Sequence, residues 1–303
     1  MLKWRLIIGT AVVLLLIGFF WLDHYLETLL SVPGLVLLPL LIVCVCFLCH
    51  ELLRMLNAAG IYPSRSSVYL GVLWCVVCCW LACHKTLPLV QSEGWNVASK
   101  ACVLTLLAMA LGVIIAFTGE MARYKEPGGN VINLSGAIFA IAYLGLLGCF
   151  IIMLRIAYGV GAVVSMIITA KMCDIGAYFI GRAFGRHKMA ANLSPGKTVE
   201  GAVGGLSFAV FAAWLTLDVV IPSMKGLPII RDPAQVMGAV AFGMAIGAFG
   251  AIGDLAESFI KRDVCQKDSG QSIPGFGGIL DIFDSLLIAA PVAFAFWAFG
   301  LIR

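Results

Sequence analysis

An all-α, polytopic integral membrane protein is the fold class this sequence predicts, and three observations carry it. Of 303 residues, 62% are hydrophobic and only 12% charged, against roughly 25% charged in an ordinary soluble domain. The mean hydropathy is +1.04. Apolar runs long enough to cross a bilayer, about 20 residues each, recur from end to end and give about nine transmembrane helices. The net charge of +4 is modest, and no nucleic-acid partner is expected. How that charge is distributed says more than its sum.

The first apolar run, at 6–22, follows Lys3 and Arg5. It ends in Phe19, Phe20, Trp21 and Leu22 rather than a small-residue cleavage site, so it reads as a spanning helix and not a signal peptide. Further spans are expected at 29–49, 67–89, 98–118, 132–154, 157–183, 199–221, 234–252 and 279–301. With the N-terminus in the cytoplasm, the inner segments hold Lys3, Arg5, Arg54, Arg65, Arg123, Lys125, Arg182, Arg186, Lys188, Lys197, Lys261, Arg262 and Lys267. The outer segments hold Lys85, Lys100, Arg155, Lys225, Arg231 and Arg303. Cytoplasmic loops carry the excess of basic residues, which favours this orientation.

The 11 cysteines do not resemble a disulfide framework. Most sit in apolar runs, as at Cys44, Cys46, Cys49, Cys75, Cys78, Cys79 and Cys83, where a thiol acts as a small hydrophobe. The CxxC spacings there have no soluble redox or zinc fold beside them. Cys265 is the thiol expected to be accessible. Glu51, Arg54, Glu120 and Arg123 read as interfacial charges at helix ends, and "EPGGN" at 126–130 as a loop.

Chemistry gathers near the C-terminus, in GDLAESFIKRDVCQKDSGQSIPGFGGILDIFDS at 253–285. Ionisable groups are costly at a bilayer, so a dense cluster flanked by apolar runs is a functional-site hypothesis. If 254–262 is helical, Asp254, Glu257, Ser258 and Lys261 recur at i, i+3, i+4 and i+7 on one face. Asp281 and Asp284 are likewise three apart, and Ser285 is four from Asp281. Such an oxygen-rich set suits Mg²⁺, which takes one or two carboxylates plus substrate phosphates. The neighbouring Lys and Arg side chains suit a polyphosphate. A solvated loop whose charges only set topology is the alternative.

A second polar constellation follows the sixth run. Lys171 and Asp174 share a helix face in "SMIITAKMCDIGAYFIGRAFG", as a packing salt bridge or as a pair facing a site. The glycine-rich loop after it carries Arg182, Arg186, His187, Lys188 and Lys197, a positive surface for anionic headgroups or for a nucleoside triphosphate. "ANLSPGKT" is not a phosphate-binding P-loop: Ala191 stands where that motif needs Gly, and the flanks are membrane helices.

From Ser258 onward the C-terminal stretch resembles the signature of the CTP-dependent phosphatidate cytidylyltransferases. The match covers Ser258, Lys261, Arg262, Lys267, Asp268, Pro274, Gly275, Gly277, Gly278, Asp281 and Asp284. Two departures are Phe276, where the family usually has His, and Ile282, where it has Arg. The loop at 174–201 is similar to another family stretch, through Asp174, Ala177, Tyr178, Gly181, Arg182, Gly185, Ser194, Pro195, Lys197, Thr198, Glu200 and Gly201. Gly196 replaces a frequent Lys. The resemblance spans roughly 160–290.

The resemblance implies conversion of CTP and phosphatidate to CDP-diacylglycerol and pyrophosphate with Mg²⁺ as cofactor. It implies Asp254, Asp281 and Asp284 as metal ligands. It implies Ser258, Lys261, Arg262, Lys267 and Asp268 as catalytic residues, and Asp174, Ser194, Lys197 and Thr198 as substrate-binding residues. Asp281→Ala is expected to abolish turnover without blocking insertion, and Lys261→Ala to slow it greatly. His187 is expected to be a loop cation or headgroup contact rather than a base. Residues 1–130 are then an N-terminal transmembrane scaffold and 131–303 a catalytic transmembrane region with two cytoplasmic polar loops. The expected location is a bacterial inner (cytoplasmic) membrane with the site facing the cytoplasm; a homodimer is carried as an assembly alongside the single chain. The alternatives are a CDP-archaeol-type synthase, a CTP-dependent polyprenol kinase, an inactive relative, or a secondary transporter with Lys171, Asp174 and Asp254 at midplane.

Overall fold

The computed structural model describes residues 2–30, 32–83, 97–224, 233–266, 269–270 and 277–302. Side chains are described over 14–30, 32–82, 101–223, 233–266, 269–270 and 277–302. The helices are α1 (Leu2–Leu30), α2 (Leu37–Ala58), α3 (Arg65–Cys83), α4 (Val97–Arg123), α5 (Asn130–Tyr158), α6 (Val160–Phe184), α7 (Val199–Ser223), α8 (Pro233–Asp263) and α9 (Leu280–Ala298). Short π-helical turns interrupt α5 at Ile141–Leu146 and α7 at Leu215–Val220. Among the described residues 8 helices, α2 to α9, are long and apolar enough to cross a membrane. The run expected at 6–22 lies within α1. The all-α polytopic architecture is borne out.

Two boundaries differ from the expected ones for physical reasons. The run expected at 29–49 begins later, at Leu37, because Pro33 and Gly34 form a turn in which Gly34 takes φ +76°, a left-handed conformation open to glycine. The run expected at 234–252 continues to Asp263, because the charged residues after 253 keep the helical period once the apolar ones end.

The chain divides into two compact units that interleave in sequence. One comprises Met1–Val160 with Asp263–Asp281; the other comprises Gly161–Arg262 with Ile282–Arg303. In the first unit α3, α4 and α5 approach closely through small residues, the usual route to helix packing where apolar burial gives no advantage over lipid. A Cβ on Gly112 of α4 would lie 3.1 Å from Ile141 of α5, and one on Gly145 of α5 would lie 3.3 Å from Cys75 of α3. The cysteines fill the same seam: the Cys79 thiol donates to the Cys149 carbonyl (3.5 Å) and the Cys149 thiol to the Cys75 carbonyl (3.3 Å). Every cysteine whose side chain is described is free, and Cys265 is exposed.

Arg155, counted above among the outer-segment cations, is fully buried in the last turn of α5. Its guanidinium donates to Asp23 (Nε, 2.7 Å) and to Glu27 (Nη2, 2.8 Å), one helical turn apart on α1. The other Asp23 oxygen accepts the amides of Val36 and Leu37 at the start of α2. One cation thus ties three helices. Arg155→Met is expected to destabilise the protein by about 3–5 kcal/mol, the cost of leaving a buried carboxylate uncompensated. Thermal unfolding in detergent checks this, and an unchanged melting temperature would deny the triad a structural role.

Candidate active site

In the second unit, Asp254 and Glu257 lie on one face of α8, as their spacing predicts once the helix runs past 253. α9 meets that face closely because α8 has no side chain there. A Cβ on Gly253 would lie 2.9 Å from the Ser285 Cα and would also meet the Asp284 carbonyl. A Cβ on Gly250 would touch Ser285 at 3.7 Å. The approach brings Asp254, Glu257 and Asp284 together, with one oxygen from each within 4.8 Å of the others. Glu257 and Asp284 are 1% and 4% exposed, while Asp254 is partly open.

Carboxylates this close repel one another. At an effective dielectric of about 20, each pair within this distance costs at least about 3 kcal/mol. The protein answers with lysines from three helices or their flanks. Lys261 Nζ lies 2.6 Å from Glu257, and Lys197 Nζ lies 2.8 Å from Asp254. Lys171 Nζ bridges Asp174 (3.2 Å) and the Ser285 hydroxyl (2.9 Å), placing α6 beside the first turns of α9. All-oxygen donors of like charge, crowded together and partly accessible through Asp254, form the donor set a hard divalent ion such as Mg²⁺ takes.

The loop after α6 folds into a short antiparallel hairpin, β1 (Lys188–Ala190) and β2 (Ser194–Thr198), pairing Lys188 with Thr198 and Ala190 with Ser194. Its far end starts α7: the buried Thr198 hydroxyl accepts the Gly201 amide at 3.1 Å, an N-cap. Lys197, one residue earlier, therefore leaves the hairpin at a fixed point and reaches Asp254. The Arg262 Nε donates to the Leu193 carbonyl at 3.1 Å, tying the end of α8 to the hairpin turn. His187 Nδ1 pairs at 2.6 Å with Glu200, in the first turn of α7, so its partner is a carboxylate at the end of the hairpin loop.

The remaining signature residues belong to the first unit. There Asp281 Oδ2 accepts the Gly278 amide (2.7 Å) and the Ser269 hydroxyl (3.0 Å). Glu51, from α2, accepts the amides of Ile279 (3.0 Å) and Leu280 (2.9 Å) and lies 3.2 Å from the same hydroxyl. Lys267, Asp268 and Phe276 lie outside the described residues. Of the expected site residues the second unit gathers Asp174, Ser194, Lys197, Thr198, Asp254, Ser258, Lys261, Arg262 and Asp284.

The sequence profile of the cytidylyltransferase family matches residues 3–299. The chain belongs to the cytidylyltransferase family. Among individual relatives in this family's range, the phosphatidate cytidylyltransferase of Haemophilus influenzae is 38% identical over 144 residues, 48% of either chain. That of Bacillus subtilis is 36% identical over 156 residues, 50% of this chain and 54% of its own. An uncharacterized Escherichia coli protein, YnbB, is 33% identical over 195 residues, 61% of this chain and 60% of its own. The chain spans about half the length of the curated phosphatidate cytidylyltransferases it matches.

Two residues of the candidate site are not marked as such in the sequence. Glu257 was placed on the right face by its spacing from Asp254 but was not singled out as a ligand. Glu51 left no signal: a lone carboxylate near the end of a cysteine-rich apolar run reads as an interfacial charge, whereas it is 2% exposed and occupied by a distant loop.

Proposed function

We propose that this protein transfers the cytidylyl group of CTP to phosphatidate, giving CDP-diacylglycerol and pyrophosphate for phospholipid biosynthesis. The observation that carries the reading is the carboxylate cluster of Asp254, Glu257 and Asp284 with a lysine at 2.6–2.8 Å from each of two members, at the ends of membrane-spanning helices. The family membership and the phosphatidate cytidylyltransferase relatives support the nucleotide and the lipid. The proposed setting is a bacterial inner membrane with the site on the cytoplasmic face, in keeping with bacterial relatives and the basic hairpin loop.

In this reaction a phosphate oxygen of the lipid bonds to the α-phosphorus of CTP, and the bond from that phosphorus to the pyrophosphate oxygen breaks. The nucleophile is already an anion, so no strong base is needed; the obstacle is bringing two polyanions together. Asp254, Glu257 and Asp284 would hold Mg²⁺, and Asp281, one turn before Asp284, is proposed to complete the set. When bound, the ion supplies positive charge to phosphate oxygens. Lys261, Arg262 and Ser258 on the α8 face are proposed to receive the phosphates, together with Lys197, whose Nζ lies 2.8 Å from Asp254. Asp174, 3.2 Å from the Lys171 Nζ, holds that side chain where it meets Ser285. Ser194 and Thr198 hold the hairpin that delivers Lys197. Lys267 and Asp268 are proposed to act with them from the glycine loop.

The test is conversion of radiolabelled CTP to a lipid-soluble product by the purified protein with phosphatidate and Mg²⁺. Product that requires phosphatidate and Mg²⁺ supports the reading; CTP binding without product would point to another acceptor lipid. Lys261→Ala is expected to slow the reaction by about a hundredfold, the scale on which removal of one charge-stabilising donor acts. An unchanged rate would exclude Lys261 from the chemistry.

A further inference from the structure

We propose that Glu51, in the N-terminal scaffold, is a positioning residue for the transfer: its buried carboxylate caps the N-terminus of α9 and so holds the helix that carries Asp281 and Asp284. The inference rests on the reading that these carboxylates serve a metal-dependent cytidylyl transfer.

The first amides of any helix lack intrahelical acceptors, and a carboxylate there satisfies them and complements the helix dipole. α9 takes its cap not from a residue just before it in sequence, as most helices do, but from α2, more than two hundred residues earlier. Glu51 accepts the Ile279 amide at 3.0 Å and the Leu280 amide at 2.9 Å. Its Oε2 also shares the Ser269 hydroxyl with Asp281, at 3.2 and 3.0 Å. At 2% exposure, it has no solvent to fall back on.

The loop is shaped around this side chain. The three atoms nearest a Cβ on Gly270 would all belong to the Glu51 carboxylate arm, at 2.5–3.2 Å. A Cβ on Gly278 would lie 2.8 Å from the Glu51 carboxyl carbon. Two glycines of the signature loop thus mark the space that an inserted carboxylate occupies. Leu280, which Glu51 caps, is fully buried, and Asp281 and Asp284 follow within the next turn of the same continuous helix. Loss of the cap frees the first turn of α9 and, with it, the placement of those two carboxylates.

The experiment uses the purified full-length protein in detergent and reads two quantities: Mn²⁺ affinity by electron paramagnetic resonance, with no turnover required, and the Mg²⁺ dependence of lipid-linked product formation. Glu51→Ala is expected to weaken Mn²⁺ binding and raise the half-saturating Mg²⁺ concentration by about 10–100-fold, the range typical of losing a support behind a metal ligand. Glu51→Gln, which keeps a carbonyl acceptor and the volume, should recover part of the loss. Gly270→Ala should reproduce the defect in the wild-type background and add little in Glu51→Ala, since both displace the same side chain. Unchanged Mn²⁺ affinity and Mg²⁺ dependence in Glu51→Ala, or additive effects of the two substitutions, would overturn the proposal. A merely structural role would lower the melting temperature and leave both metal readouts unmoved, which also overturns it. Should wild type bind Mn²⁺ but make no product, the proposed reaction falls while the Mn²⁺ arm still decides on Glu51.

Discussion

Asp284→Asn is expected to lower kcat by about a thousandfold, the scale of losing a metal-holding or charge-stabilising group, while the protein still inserts and purifies normally. The argument turns on what the substitution leaves in place. Asparagine has the shape of aspartate and still offers a carbonyl oxygen to the Ser285 amide, which Asp284 now accepts. Its new amide group would face Asp254 and Glu257, which lie with Asp284 in one cluster. One of three mutually repelling carboxylates is gone, so the variant should melt at the same temperature as wild type or higher. Higher stability with lost activity is the mark of a residue held against its own electrostatic interest for function. Radiolabelled CTP turnover and thermal unfolding, measured on the same preparation, check both halves. A normal rate would remove Asp284 from the site, and a large fall in melting temperature would make it a structural residue.

Gly253→Ala should have the second largest effect, although it changes no polar atom. A Cβ at this position lies 2.9 Å from the Ser285 Cα and against the Asp284 carbonyl. Both are backbone, so no side chain can turn away; α9 must move off α8. Overpacking of this kind costs about 1–3 kcal/mol in stability. Its effect on rate is expected to be greater, since displacing reacting groups by about 1 Å can cost about a hundredfold. The movement separates Asp284 from Asp254 and Glu257 and draws Ser285 from Lys171, which it now meets at 2.9 Å. Gly250→Ala provides the control: the nearest atom to its Cβ is 3.7 Å away, an ordinary contact, and turnover should stay close to wild type. Equal rates for the two variants would show that close approach at Gly253 does not set the site.

The fold was legible because bilayer-length apolar runs need no partner to be recognised. Where boundaries moved, the cause was a feature that hydropathy does not weigh. Pro33 and Gly34 delay α2 although the residues around them are apolar, and the charged residues after Gly253 prolong α8 although they are not. The half of the candidate site that lies on one helix was legible for a similar reason: the spacing of Asp254, Glu257 and Lys261 is a local property. Lys197 meeting Asp254, Lys171 meeting Ser285, and Arg262 meeting the Leu193 carbonyl are long-range pairings fixed by helix packing, and no periodicity encodes them. Glu51 was the least legible, since both its burial and its partners come from a loop at the other end of the chain. Gly270 and Gly278 held the trace of it, as glycines whose need for space had no visible cause.

That pairing also bears on how the protein is made. Glu51 enters the membrane 228 residues before Ile279, one of its amide partners. At the usual elongation rate of about 5–20 residues per second, the wait is roughly 10 to 45 s. Throughout that interval a carboxylate destined for the interior of the first unit must remain at the aqueous boundary or borrow a temporary partner. The first unit therefore cannot finish folding when its own five helices have been synthesised; it closes only once residues 263–281 have been made. A nascent chain arrested before residue 263 should keep its α2 segment open to protease or to insertion factors, and release from arrest should close it.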